Sequence, residues 1–279
     1  MLTSQKTKFN PDSDNPARDI DNQVRQALAT SSSLYNIHED QLLALKPQVI
    51  LTQSLCEVCS VDLVSVERLV HREMRGQCEV LDLNPQSLNQ VLEDLIRVGK
   101  ALGVPQAGEL VANELKQRVH QAVARVVPTK KRPNVFFLEW TDPVFVGGHW
   151  TPEIIQLAGG TYLYNSPGSK SVCIRDELAV IHPQEVDICL VCLCGIDLVQ
   201  TRNLMRIFLN QPEKQWFKQT KAFTNQAVVL IDGNVMFNRP GPRLVDCLEF
   251  CVDLFASWKE GGGVNLPPND FPAEMLTID

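Results

Sequence analysis

Aromatic side chains are scarce here: Phe, Trp and Tyr make up 6% of 279 residues. Apolar runs are short, and none approaches the roughly 20 residues needed to cross a bilayer as a helix. The opening stretch, MLTSQKTKFNPDSDNPARDIDN, has no apolar core of the kind a secretory signal needs, so the chain as it stands reads as cytoplasmic. Phosphate-cradling glycine patterns are missing: neither GxxxxGK[ST] nor GxGxxG occurs. The strained GxSxG elbow of serine hydrolases is missing too. Positive charge is in deficit. Lys and Arg number 26 against 33 Asp and Glu, and the net charge of −7 argues against a broad phosphate-binding surface. Nucleic acid is therefore not an expected partner. The one tight basic run, Lys130, Lys131 and Arg132, falls between a helix and a strand, where a solvated linker is expected.

What is present is an ordinary globular balance, 44% hydrophobic and 21% charged, in a chain long enough for one large domain or two medium ones. Cysteine is the exception. Nine is an odd number, and Cys189, Cys192, Cys247 and Cys251 lie in apolar runs, where a thiol behaves as a small buried hydrophobe. That usage suits a reducing compartment better than a disulfide-stapled secreted fold.

The pattern along the chain alternates helix and strand. Pro11 and Pro16 are expected to break any early helix, with helical spacing beginning at Ile20 and running through 20–34. Helices are expected over 39–45, 61–74 and from 88, with short buried strands at 49–51 and 78–83. Ser87 and Gln90 have capping-box spacing. A long helix is expected over 105–127, opened by Pro105, with Leu110, Val111, Leu115, Val119, Ala122 and Val126 as its apolar stripe. At 1.5 Å per residue it would run roughly 35 Å. A second α/β pattern follows: strands at 134–140, 187–193 and 227–232, and helices at 151–157, 201–209 and 242–258. This divides the chain into an N-terminal lobe (1–104), a spanning helix (105–127), a C-terminal lobe (128–259) and a loose tail (260–279). A cleft between two such lobes, lined by loops at the carboxyl ends of strands, is the default ligand site.

The segment FLEWTDPVFVGGHWTPEIIQLAGG (137–160) is the richest in chemistry. Trp140, Phe145, His149 and Trp150 fall within eleven residues, on a loop expected between a strand and a helix capped by Thr151. Large rigid rings at a strand end suit a broad, flat, mostly apolar ligand; the alternative is that Phe145 and one Trp plug the loop onto the core. His149 could coordinate a metal, or simply hydrogen-bond within its loop. Glu139 and Asp142 have no nucleophile or oxyanion loop nearby, so capping or salt-bridging fits them better than catalysis, and no enzyme activity is expected. Cys56 and Cys59 form a CxxC half-site, to which the 189–194 thiols could add ligands. If the expected strand runs through them, Cys192 and Cys194 share a face. A packed thiol set is the simpler reading, and no metal ligand set is assigned. In FNRPGPRLVD (237–246), Pro240 and Pro242 stiffen the loop while Arg239 and Arg243 offer forked donors, either to a ligand or to solvent.

Three stretches together resemble a known family: SLYNIHEDQLLALKPQVILTQSLCEVC (33–59), FLEWTDPVFVGGHWTPEIIQLAGG (137–160) and DGNVMFNRPGPRLVD (232–246). They resemble periplasmic binding proteins of the cobalamin and iron-siderophore type, most closely the cobalamin-binding branch, over roughly 20–256. The resemblance implies two Rossmann-like α/β lobes joined by one long helix, the class III arrangement, with cobalamin or a related metal chelate in the cleft between them. It implies delivery to an ABC-type membrane transporter, with no resident cofactor. It also places Cys56, Trp140, Phe145, His149, Trp150, Cys194, Arg239 and Pro240 at cleft-facing, ligand-binding positions. Members of the family begin with one more strand–helix unit and carry an export signal or lipid anchor. The chain is expected to have an incomplete first lobe with an exposed sheet edge. The competing readings are an intracellular metal- or thiol-binding protein using Cys56, Cys59 and the 189–194 thiols, and an interaction scaffold.

Overall fold

The computed structural model describes residues 2–30, 33–54, 63–128 and 131–277. They form two compact units, residues 1–85 with 92–113, and residues 86–91 with 114–279. The first unit contains β1 (Thr3–Gln5), α1 (Pro16–Thr30), β2 (Tyr35–Ile37), α2 (Glu39–Leu45), β3 (Val49–Thr52), α3 (Leu63–Met74) and β4 (Glu79–Asp82). Helices α4 (Leu88–Ala101) and α5 (Pro105–Ala124) are divided between the units.

In the first unit β3 and β4 pair in parallel, Val49 opposite Glu79 through Thr52 opposite Asp82. The connecting α3 buries Val66, Leu69 and Val70, the i, i+3, i+4 positions of one helical stripe. Pro16 opens α1 instead of blocking it. Proline is accommodated in a first helical turn, and Asn15 Oδ1 accepts the Arg18 N–H at 3.1 Å as a cap. β1 pairs antiparallel with β2, Thr3 opposite Ile37. Partners 30 to 34 positions apart leave no local periodicity to read, and this pair was not expected.

Within the same unit α4 and α5 meet at glycines. A Cβ at Gly99 would stand 2.9 Å from the Gly108 Cα, and one at Gly108 would stand 2.7 Å from the Leu95 carbonyl oxygen. That contact sets the rotation of α5. Ala112, one turn beyond Gly108, is buried, as are Leu115 and Ala122 of the expected stripe, whereas its Leu110 and Val111 are 60% and 41% exposed. At 100° per residue they lie off the line through 108 and 112. The helix also stops at Ala124 rather than 127. The Arg125 and Val126 N–H groups turn to carbonyls three residues back, each at 3.1 Å, which tightens the last turn before Pro128.

The second unit contains β5 (Asn134–Thr141), β6 (Val144–Val146), α6 (Thr151–Leu157), β7 (Thr161–Tyr162), β8 (Val172–Ile174), α7 (Glu177–Val180), β9 (Ile188–Val191), α8 (Leu198–Asn210), α9 (Lys221–Thr224), β10 (Val228–Ile231), α10 (Arg243–Ser257) and β11 (Ala273–Met275). They build a seven-stranded sheet in the order β11-β10-β9-β5-β6-β8, with β7 also on β5. β7, β5, β9 and β10 are parallel. Every residue of β9 and β10 is buried, as expected for strands covered on both faces. On one face Phe136 meets Tyr164 and Trp216, the latter on a 3₁₀ segment (Pro212–Gln219) beside Phe208 of α8. On the other, Phe137 meets Phe237, while Val135, Ile155 of α6 and Phe255 of α10 close on Gly160. α8 begins at Leu198, three residues before the expected start, because Asp197 caps it through the Gln200 N–H. The loose tail expected at 260–279 includes β11, antiparallel to β10, with Phe271 stacked on Phe250 at 4.0 Å and Glu274 taking both donors of Arg202.

Candidate functional site

Strand order places a topological switch point in the second unit. From β5 the chain passes through α6 to β7 on one side of β5. It later re-enters the parallel sheet at β9, on the other side, and continues outward through α8 to β10. The order reverses between β5 and β9, and open α/β sheets commonly hold ligands outside the carboxyl ends of strands at such a point. Glu139 and Trp140 lie near the end of one strand there, and residues 192–195 follow the other.

Trp140 is aimed by a bulge. Leu138 lies opposite Val146 and Trp140 opposite Phe145, so Glu139 is an extra residue that reverses the alternation. The 140–146 segment, expected as a loop, is the β5–β6 hairpin. Phe145 in turn lies opposite Cys173 of β8. Trp140, Phe145 and Cys173 therefore share one face and are half-buried, while Thr141, Val144 and Ile174 on the other face are buried. Cys173 is a member of this row that spacing alone did not reveal; the alternation V-C-I was its only signal.

Trp150 has a different place. It is 4% exposed, and its indole N–H donates to the Phe237 carbonyl at 2.6 Å. It anchors the turn after β10 and forms part of the core, so the plug reading applies to it and an open ligand-facing wall does not. It also precedes α6 as the cap position, leaving Thr151 as the first helical residue.

The strand ends are laced together. The Cys194 N–H donates to the Glu139 carbonyl at 3.2 Å and Gly195 to Gly233 at 3.2 Å, while Gly233 donates to Ile196 at 2.9 Å. Gly233 has no space for a side chain: a Cβ would fall 1.9 Å from the Leu193 oxygen. Asn238, not singled out from the sequence, donates to the Gly233 and Cys192 carbonyls. Cys192 is buried and Cys194 exposed. Their expected shared face does not arise, because β9 ends at Val191 and two-residue alternation ends with it.

His149 sits in left-handed backbone, φ 53°, held from both sides by the 168–169 turn. Its N–H donates to Ser169 at 2.6 Å, and the Gly168 N–H donates to its carbonyl at 2.8 Å. The same turn leaves no room beside Gly148, where a Cβ would fall 2.4 Å from the Ser169 oxygen. One step on, Ser171 Oγ donates to Glu139, the bulge residue. The ring is half-buried, with Nδ1 3.1 Å from Gln86 Oε1. Burial, then the Lys170 charge, lowers its pKa and favours neutral imidazole. Gln86 also donates its N–H to Gln90, and Glu153 of α6 accepts the Leu88 N–H. The Ser87–Gln90 capping box is therefore half-formed: Ser87 Oγ accepts from Gln90, but the Gln90 side chain reaches Gln86 instead of Ser87.

Arg239 is exposed and folded back, its Nε and one Nη donating to the carbonyl and side chain of Asn234. Pro240 is half-buried beside it. Arg239 and Arg243, with Asn234, Val235, Gly241 and Pro242, line an open depression of about 380 Å³. Cys56 and Cys59 lie outside the described residues. Cys189, Cys192 and Cys251 are buried, and burial pushes their thiols well up; Cys247 is pushed up to about 12. Thiolate, the form that binds metal or attacks, is suppressed at all four. Among the described residues no cluster of three or more His, Cys, Asp or Glu is placed to enclose a metal ion, and no helix is long and apolar enough to cross a membrane.

No family model and no curated sequence matches the chain. Solved structures do. A periplasmic heme-binding protein of Pseudomonas aeruginosa aligns over 91% of this chain and 86% of its own, with 18% identity and a TM-score of 0.64. The heme complex of IsdE from S. aureus aligns over 79% and 81%, with 16% identity and a TM-score of 0.61. The periplasmic vitamin B12-binding protein BtuF of Vibrio cholerae aligns over 78% and 77%, with 17% identity and a TM-score of 0.57. The first and third are described as binding proteins, and the second as a complex with heme. The chain thus has the mixed α/β fold of the periplasmic solute-binding proteins.

Proposed function

We propose that the chain is a solute-binding protein. It holds a flat metal chelate, cobalamin or a related corrinoid, heme or iron chelate, at the switch point of its second unit and passes it to an ABC-type membrane transporter. The observation that carries this reading is the Trp140–Phe145 pair: two half-buried rings on one face, re-aimed by a bulge at the carboxyl end of β5, beside a topological switch point. Such rings suit the apolar face of a macrocycle. Arg239 and Arg243, on the depression beyond Gly233, suit the polar periphery that these chelates carry. The proteins of like fold named above bind heme or vitamin B12, which supports a ligand of this class.

Titrating purified protein with cyanocobalamin, iron(III) protoporphyrin and a ferric siderophore, followed by visible absorbance and Trp fluorescence, tests the reading. Saturable one-to-one binding of one of them is expected, weakened about ten-fold or more in Trp140→Ala, the scale of a buried aromatic anchor. A folded protein that saturates with none of the three overturns it. The thiol-binding alternative has two of its described thiols against it, since Cys189 and Cys192 are sealed and held protonated.

A further inference from the structure

We propose that β3 is a self-pairing edge: it binds β3 of a second copy of this chain, antiparallel, about a two-fold axis at Ile50. Two sheets of two strands become one of four. The pairing belongs to the first unit alone and does not depend on the ligand reading of the second.

Hydrogen-bond directions in β3 carry the inference. The Glu79 N–H donates to the Gln48 carbonyl and the Leu83 N–H to the Thr52 carbonyl, each at 2.9 Å. Even-numbered residues of the strand therefore face β4. By strand alternation, the N–H and C=O groups of Val49 and Leu51 point the other way. Among the described residues none of those four groups has a hydrogen-bond partner, and β4 is the one element in extensive contact with β3. Leu51 is 46% exposed, and Val49 and Ile50 are half-buried, so the strand reaches solvent along its length. A row of unpaired main-chain groups is a template for another strand.

The residues of the edge select its occupant. With Ile50 on the axis, Val49 lies opposite the partner's Leu51, and Leu51 opposite the partner's Val49. Each such pair exchanges two hydrogen bonds, so all four groups of each edge are satisfied. Aliphatic side chains meet on both faces of the joined sheet, Ile50 against its own copy across the axis and Val49 beside the partner's Leu51. Pro47, with no N–H to give, ends the ladder. Residues 47–54 carry no charge, and Lys46 falls opposite the partner's Ser54, so this pairing sets no like charge against like. The far edge of the sheet is guarded. β4 has Glu79 and Asp82 at its ends, and Arg97 donates to the Asp82 carbonyl at 2.8 Å. Assembly therefore closes at two copies. Two strands alone are marginal and four are not, which gives the joined sheet its advantage. An interface this small makes a weak dimer that forms as concentration rises.

Sedimentation velocity of the full chain at rising concentration tests the pairing. The wild type is expected to pass from monomer to dimer and no further. As the dimer forms, exchange of the Val49 and Leu51 amides should slow, while the Ile50 and Thr52 amides, already turned to β4, change less. Leu51→Lys, at an exposed position, should keep the fold and weaken dimerisation about ten-fold or more by charging the edge. Ile50→Cys, oxidised where the dimer is populated, should give a covalent dimer linked at position 50, with the oxidised wild type as control for its own thiols. Facing residues on the axis of such a ladder have Cα atoms about 4.5 Å apart, within disulfide reach. A wild type that stays monomeric overturns the proposal, whether its edge amides exchange freely or are already protected by another segment. So does a dimer that Leu51→Lys leaves undiminished, or one in which position 50 never links.

Discussion

Ten positions separate Trp140 from Trp150, and the two indoles do different work. Trp150, sealed and donating to Phe237, holds the turn after β10 on the core. Trp150→Phe should cost about 1–2 kcal/mol from the orphaned carbonyl, and Trp150→Ala about 3–5 kcal/mol, read as lost thermal stability. Trp140→Ala should leave the melting temperature within the range of about 1 kcal/mol and change ligand binding instead. His149 adds a pH dependence. Its folded pKa lies below the ordinary 6.5, so the unfolded chain takes up the proton more readily. The stability it contributes is complete above about pH 6.5 and is lost as pH falls toward the folded-state value. Urea midpoints at pH 7.5 and 5 should therefore differ less in His149→Asn than in the wild type. The aromatic concentration at 140–150 was legible in the sequence. Which tryptophan is buried was not, because period-2 counting cannot see an inserted residue.

Elements with a strong local signal lie where the sequence puts them. β9 and β10 are unbroken apolar runs, and α6 occupies 151–157 as expected from the Thr-Pro start. Elements made by distant partners were invisible: β1 on β2, and β11 on β10. The α5 stripe was legible in part: Leu115 and Ala122 are buried as expected, while Leu110 and Val111 point away from the face that Gly108 brings close to α4. Gly108→Val should force α4 and α5 apart and lower the thermal midpoint by several degrees, whereas Leu110→Lys, on an exposed position, should leave it nearly unchanged. Removing residues 270–279 should uncover the β10 edge and the Phe250 ring together, giving a less stable protein that aggregates on heating.

For the molecule as a whole, strand number ranks local stability. A two-stranded sheet is marginal without support, and the first unit holds two of them, β1–β2 and β3–β4, against seven strands in the second. Amide exchange should be slowest in β5, β9 and β10 and appreciably faster in β1 through β4; uniform protection would contradict this ranking. The two-part α/β architecture was readable from helix–strand alternation.

The bulge at Glu139 makes the outlook of an entire strand end a matter of parity. Pair every residue of β5 in strict alternation and two-residue spacing would carry the indole of Trp140 to the side now occupied by Leu138. Delete Glu139 itself and Leu138 and Trp140 become neighbours on opposite faces, so a chain one amino acid shorter keeps its rings outward and loses only the kink.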